Sequence, residues 1–294
     1  MKPTILGAIC LSLAASIWGG MYVVSKYVLD YIPPLTLVWL RFIIAFVVLY
    51  GILKIAEKKQ KKKVTIRKKD WLLFAWIGFI GYFISITCQF IGTKLSDAHT
   101  GSLVTSATPA FMVIFAAIIL KEKLTARRLL STIIATIGVI IVIGWDIEIG
   151  SYFIGTIILV GAAITWALLS IYVKIASARF SSLVITTYAI FFSLFFITPF
   201  MIWELQVASI GTVNTYVILG VLYLGVISTA GAFFLWNKGL ELMDASIGSL
   251  FFFFQPIVGS LLGWLLLNET LNNNFFIGGI LIICSVLITT FEKK

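Results

Sequence analysis

Residues 95–122 read LSDAHTGSLVTSATPAFMVIFAAIILKE, and residues 242–269 read LMDASIGSLFFFFQPIVGSLLGWLLLNE. Aligned without a gap, Leu95, Asp97, Ala98, Gly101, Ser102, Leu103, Pro109, Leu120 and Glu122 fall on Leu242, Asp244, Ala245, Gly248, Ser249, Leu250, Pro256, Leu267 and Glu269. Each copy is an apolar stretch long enough to cross a bilayer as a helix, with a proline in its interior. Proline has no N–H, so Pro109 and Pro256 each release a carbonyl one turn earlier in the helix. Hydrocarbon offers that carbonyl no partner, and it must face protein or a wet cavity. Interrupted helices at corresponding places in two halves are the sequence mark of a transporter binding site.

The rest of the chain agrees with a lipid solvent. Of its 294 residues, 61% are hydrophobic and 12% charged, about half the charge of a soluble domain at roughly 25%. The net charge is +10, but its placement carries more than its size. Lys54, Lys58, Lys59, Lys61, Lys62, Lys63, Arg67, Lys68 and Lys69 crowd one linker. A short linker between two spans has no fold to present to nucleic acid, so we read it as a cytoplasmic loop under the positive-inside bias. Cys10, Cys88 and Cys284 lie in apolar segments without metal spacing and read as small apolar filler. His99, beside Asp97 at a helix start, reads as a boundary residue. Lys2, an apolar run and Ala14-Ala15-Ser16 have the outline of a leader. That region is echoed later in the chain, which argues against cleavage.

The expected fold is an all-α integral membrane protein with ten transmembrane helices. The spans fall at residues 4–24, 35–53, 71–91, 98–120 and 129–145, then at 152–173, 183–203, 215–236, 245–267 and 275–290. Ala14, Ala15, Trp18 and Lys26 of the first span match Ala162, Ala163, Trp166 and Lys174 of the sixth. The repeat therefore covers two units, residues 1–146 and 152–291, of five helices each. An odd number of helices per unit inverts the second relative to the first. The loop after Leu120 is basic, whereas its counterpart after Leu267 carries Asn268, Asn272, Asn273 and Asn274. That exchange fits opposite sides of the membrane, with both termini cytoplasmic in a multi-pass plasma-membrane protein.

A ten-span chain of two inverted five-helix units, with a tryptophan in the first span of each and an Asp-Ala…Gly-Ser-Leu…Pro…Glu stretch in the fourth, resembles the EamA-like branch of the drug/metabolite transporter superfamily. The resemblance implies secondary transport, commonly export, of small metabolites such as amino acids or related compounds. It transfers no binding residues, because those differ among members.

Candidate solute contacts come from polar and aromatic residues inside the spans. Trp18 and Tyr22 stand one turn apart, and Trp166 is the counterpart of Trp18. Tyr82, Ser85 and Gln89 share a helix face; Gln255 precedes Pro256, and Asn237 closes the eighth span. Burying Gln89 and Gln255 is costly enough to require good partners. Most Ser and Thr here read as interhelical hydrogen-bonding groups. Gly259 and Gly263 read as a close helix-packing pair, and the rings of residues 251–254 as facing lipid or neighbouring helices. Arg41 is the clear intramembrane charge. Snorkelling to the outer interface is the simpler reading, and contact with an anionic solute the alternative. Lys26 with Asp97, and Lys174 with Asp244, are equivalent pairs at opposite faces; ordinary interface charges are the simpler reading, and alternating gate salt bridges the alternative.

No cofactor is expected: no Gly-rich nucleotide loop or metal-ligand spacing occurs. The expected partners are a small-molecule solute and the lipid bilayer, with proton coupling, and monomer against homodimer, left open. An intramembrane enzyme or a channel-like facilitator are the competing classes. The first needs a catalytic constellation at depth, and no Asp or Glu stands mid-span. The inversion is testable by labelling: single cysteines at Arg127 and Asn274, in a cysteine-free background, should react with an impermeant maleimide from opposite faces of the membrane.

Overall fold

The computed structural model describes residues 3–60, 65–121, 125–143, 150–243, 245–268 and 273–290, and among them every regular element is helical. In chain order the α-helices are α1 (Pro3–Leu29), α2 (Pro34–Gln60), α3 (Lys68–Ile77), α4 (Ile86–Leu95), α5 (Ala98–Thr105), α6 (Thr108–Ile119) and α7 (Ala126–Ile143). Then follow α8 (Ser151–Ser177), α9 (Ser182–Val207), α10 (Thr215–Leu222), α11 (Ala232–Leu242), α12 (Ala245–Gly248), α13 (Phe254–Leu267) and α14 (Asn273–Thr290). A π-helical stretch, Gly78–Ser85, joins α3 to α4, and another, Tyr223–Gly231, joins α10 to α11. A 3₁₀ stretch, Ser249–Phe253, leads into α13.

Seven helical runs among the described residues are long and apolar enough to cross a membrane: Ile5–Leu29, Pro34–Lys59, Lys68–Leu95, Ala98–Ile119, Ser151–Ser177, Ser182–Val207 and Thr215–Leu242. The ninth expected span falls short because the 3₁₀ turns divide it, leaving Phe254–Leu267 as a shorter apolar helix. Several helices overrun their apolar stretches. α1 continues past residue 24 to Leu29, because Lys26 in its last turn reaches a partner at the helix end.

The outer surface is apolar, and polar groups are buried among an apolar core. Phe195, Tyr216, Leu72 and Leu266 lie on the surface, while Arg41, Ser85, Thr105, Ser228 and Thr229 are buried. Such an arrangement is stable only when the surroundings are hydrocarbon. Helix ends are closed by side chains. Glu204 on α9 accepts from the Leu35 and Thr36 N–H groups at 3.1 and 2.7 Å and from Thr36 Oγ1 at 2.8 Å, satisfying the orphan donors at the start of α2. Asp97 accepts from Thr100 N at 2.8 Å, and Asn214 from Val217 N at 3.0 Å. Asp70 accepts from Arg67 N at 3.0 Å and from Arg179 at 2.6 and 3.1 Å, tying the start of α3 to the end of α8.

Packing between helices follows a reciprocal plan. α1 lies against α11 and α13, and α8 against α4 and α6; α2 packs on α9, and α7 on α14. The α1–α13 crossing is close because it is built on glycine. A Cβ at Gly19 would lie 2.6 Å from the Gln255 carbonyl oxygen and 2.9 Å from Gly259 N. A Cβ at Gly259 would lie 2.6 Å from Ser102 Cβ on α5. Of the glycine pair expected to pack closely, Gly259 does so, against α1 and α5. Lys121 and Asn268, at matching places after α6 and α13, both adopt positive φ, 57° and 53°, the left-handed conformation that ends helices.

Gly19→Ala should lower stability by about 1–3 kcal/mol through overpacking against main chain. Gly51→Ala, where an added Cβ meets nothing within 4 Å, should be neutral or stabilising by up to ~1 kcal/mol. Thermal melts of the two variants in one detergent provide the comparison.

Candidate functional site

Both broken helices meet at their breaks. α5 ends at Thr105 and α6 begins at Thr108, one residue before Pro109. The carbonyl released by Pro109 belongs to Thr105, and it accepts from Thr108 Oγ1 at 2.6 Å. The Thr105 hydroxyl donates to the Gly101 carbonyl at 2.7 Å. Its lone pairs then accept from Tyr22 OH and from Gln255 Nε2, each at 2.8 Å. Gln255 is the residue before Pro256. One hydroxyl thus links α1, the end of α5 and the start of α13.

An aromatic cluster stands beside this junction. Trp18 and Trp166, the matching residues of α1 and α8, meet edge to face with centroids 5.2 Å apart. Trp18 also touches Trp236 at 5.3 Å and Phe233 at 5.8 Å. Phe252 packs on Trp236 at 4.5 Å, so that ring of the phenylalanine run is interior, whereas Phe254 is exposed. Tyr82, on the first π stretch, stacks on Phe233 at 4.7 Å. Its hydroxyl accepts from Asn237 Nδ2 at 3.1 Å, and the same nitrogen donates to Thr186 Oγ1 at 2.8 Å. Ser85 donates to the Ala162 carbonyl at 2.8 Å.

Trp18, Met21, Ile86, Gln89, Trp166, Phe233, Phe252 and Gln255 enclose a cavity of ≈ 10 Å³, room for about one water. The walls are in contact and the centre is closed. Several buried polar atoms in or beside it have no hydrogen-bond partner among the described residues: Trp166 Nε1, Trp236 Nε1, Asn237 Oδ1 and Gln255 Oε1. They comprise two donors and two acceptors. π-Helical turns recur at functional sites, and here both carry polar groups inward: Tyr82 and Ser85 on one, Ser228 and Thr229 on the other.

Every residue expected at the solute site lies in this region. Trp18, Gln89, Trp166 and Gln255 line one cavity. Tyr22 joins through Thr105, and Tyr82 with Asn237 through Phe233. The sequence reading passed over Met21, Phe233, Trp236, Phe252, Thr186, Ser228 and Thr229; none differs in type from ordinary packing residues. It also misplaced Arg41. Rather than snorkelling, Arg41 is fully buried and donates inward through Nε to Thr229 Oγ1 at 2.6 Å and through Nη2 to Ser228 Oγ at 3.3 Å. These hydroxyls, supplied by the second π stretch, outweigh the pull of the interface.

The expected gate residues do not form a side-chain ion pair at Lys26. Its Nζ donates to the carbonyls of Thr93 and Lys94, each at 3.1 Å, and of Ser96, at the end of α4. Asp97 instead caps α5 and stands 3.3 Å from His99 Nδ1. Lys174 repeats the arrangement at the other end of the molecule, donating at 2.9 Å to the Leu240 and Met243 carbonyls at the end of α11. Asp244 lies outside the described residues. Cations at carbonyl-rich helix ends are favourable on dipole grounds.

Thr105→Val should strand Tyr22 OH and Gln255 Nε2 together, costing about 1–3 kcal/mol for each unpaired group. Thr105→Ser, which keeps the hydroxyl, should recover most of that loss in a thermal melt.

The profile of the "EamA-like transporter family" matches the chain twice, over residues 5–144 and 153–291. An uncharacterized transporter of Bacillus subtilis, YetK, is 28% identical over 97% of this chain and 87% of its own. A protein of Escherichia coli named "Probable amino-acid metabolite efflux pump" is 25% identical over 96% of this chain and 94% of its own. A protein of known crystal structure shares the fold, with a TM-score of 0.69 and 20% identity over 97% of this chain and 96% of that one. The helical bundle, its apolar exterior and the twofold match place the chain in the EamA-like transporter family, as a multi-pass membrane protein.

Proposed function

We propose that the chain is a secondary transporter of small organic metabolites, amino acids or related compounds, exporting them across the plasma membrane by alternating access around the aromatic centre. In this reading, ten helices form two inverted five-helix repeats, residues 1–146 and 152–291, with both termini cytoplasmic. The carrying observation is the meeting of equivalent parts at the centre: Trp18 against Trp166, and the break of one helix hydrogen-bonded through Thr105 to the break of the other at Gln255. Inverted halves can exchange conformations, so that a site between them faces each side in turn. The reciprocal packing of α1 on α11 and α13, and of α8 on α4 and α6, supports the exchange.

The solute contacts are Trp18, Tyr22, Tyr82, Gln89, Trp166, Asn237 and Gln255, with Pro109 and Pro256 supplying the breaks. We assign the gating role to Lys26 and Asp97 and, by the repeat, to Lys174 and Asp244. The two lysine clamps hold opposite ends and both are engaged, which suits a conformation closed to both sides. A carrier of this kind should show saturable counterflow in liposomes for at least one member of an amino-acid and metabolite panel. Running the panel with and without a pH gradient separates proton-coupled movement from facilitated diffusion. Conduction without saturation, or no counterflow by any solute, would remove the carrier reading.

Because the partners of Lys26 are carbonyls, Lys26→Gln should slow counterflow several-fold. Exchanging the two charges, Lys26→Asp with Asp97→Lys, should not restore it. Rescue by the exchanged pair would show instead a working Lys26–Asp97 ion pair.

A further inference from the structure

Arg41 is fully buried two turns into α2, yet its surroundings are neutral. Beyond Thr229 and Ser228, its Nη1 donates to the thioether Sδ of Met21 at 3.4 Å. The guanidinium carbon lies 4.8 Å from the ring centroid of Phe90 and 5.7 Å from that of Phe233. Among the described residues no carboxylate pairs with it, and Glu204 caps α2, Asp70 binds Arg179, Glu241 binds Lys238 and Ser182, and Asp97 caps α5. A cation held in the membrane interior without a counter-ion is costly, and such residues face solute or ion pathways. Hydroxyls, a thioether and ring faces offset only part of that cost.

The donor count points the same way. A guanidinium carries five N–H groups, and one on each nitrogen is used in the contacts above. One N–H on each terminal nitrogen remains. An N–H from each terminal nitrogen is the fork that arginine uses to grip both oxygens of one carboxylate. Two residues that touch Arg41, Met21 and Phe233, also line the central cavity. Met21 and Phe233 therefore connect the guanidinium to the cavity that Trp18 and Trp166 line. Methionine, unbranched and readily rearranged, is suited to act as a movable cover.

We propose that Arg41 is the anion anchor of the transport site and that the transported solute is a small carboxylate with an apolar or aromatic body. The inference rests on the carrier reading above and names the chemistry that the carrier selects. The carboxylate takes the free fork as Met21 Sδ moves aside. The body lies against Trp18, Trp166 and Phe252. Gln255 Oε1, buried and without a partner among the described residues, accepts from an amino group where the solute carries one.

Binding to the purified full-length protein, read from tryptophan fluorescence, tests the assignment. The probes are phenylalanine, leucine and their 2-oxo acids, set against the amines that lack the carboxyl group and against the methyl esters. At least one acid should bind saturably, with its matched amine and ester at least tenfold weaker. Arg41→Gln should weaken that acid at least tenfold, and Arg41→Lys less, since it keeps the charge and loses the fork. Equal binding of amine or ester, binding by none of the acids, or undiminished acid binding in a folded Arg41→Gln protein would overturn the proposal. Should Arg41→Gln fail to fold, the acid-against-amine comparison in the wild type decides alone. Counterflow of uncharged or cationic solutes in liposomes, with no carboxylate moved, would sink this inference while leaving the carrier reading standing.

Discussion

A protein surrounded by hydrocarbon has to pair its own polar groups, and the Thr105 hydroxyl is where that requirement is met most economically. It gives its proton to the Gly101 carbonyl and accepts from both Tyr22 and Gln255. Three helices are thereby fixed through a single oxygen. The arrangement depends on backbone proximity, which Gly19 and Gly259 allow: side chains at either would meet main chain or Ser102. Prolines in both broken helices open the turn at which these groups become available. Glycine, proline and the hydrogen-bond junction are consequently one device, and altering any part shifts the others.

The same economy explains the two π stretches. A wider turn leaves a backbone carbonyl without its usual partner and rotates side chains relative to an ordinary helix. Thr229 answers the first consequence by donating to the Leu224 carbonyl at 2.6 Å. It exploits the second by presenting its oxygen to Arg41. Tyr82, on the other π stretch, reaches Asn237 across the cluster. Polar groups are thus delivered to the centre from helices whose outer faces remain apolar.

Much of this was legible in the sequence. The apolar runs, the positioned lysines and the Pro109/Pro256 alignment point to membrane helices interrupted at matching places, and the structure interrupts them there. Trp18 and Trp166 are readable as a pair from the repeat alone. Other features were not legible, for identifiable reasons. The π turns of residues 78–85 and 223–231 have no residue signature, being set by packing against neighbouring helices. Phe252 is indistinguishable by type from exposed Phe254 in the same run, and it lies within the 3₁₀ stretch with its ring buried. Arg41 was misread because distance along a helix says how near the interface is. It does not say whether a neighbouring helix offers hydroxyls nearer still.

The closed centre also carries an energetic consequence. Trp166 Nε1, Trp236 Nε1, Asn237 Oδ1 and Gln255 Oε1 lack partners among the described residues, and each such buried group costs about 1–3 kcal/mol. A solute that satisfied two of them would recover on the order of 2–6 kcal/mol. Millimolar affinity corresponds to about 4 kcal/mol, so this recovery alone is of the right size for a carrier. A carrier must also release its cargo, and much tighter binding would hinder that step. The cavity of ≈ 10 Å³ cannot admit a metabolite as it stands, so binding has to spread the aromatic walls apart. In the proposed carrier, the unmet hydrogen bonds would drive that opening, and the helix breaks at Thr105 and Gln255 would be the place for it.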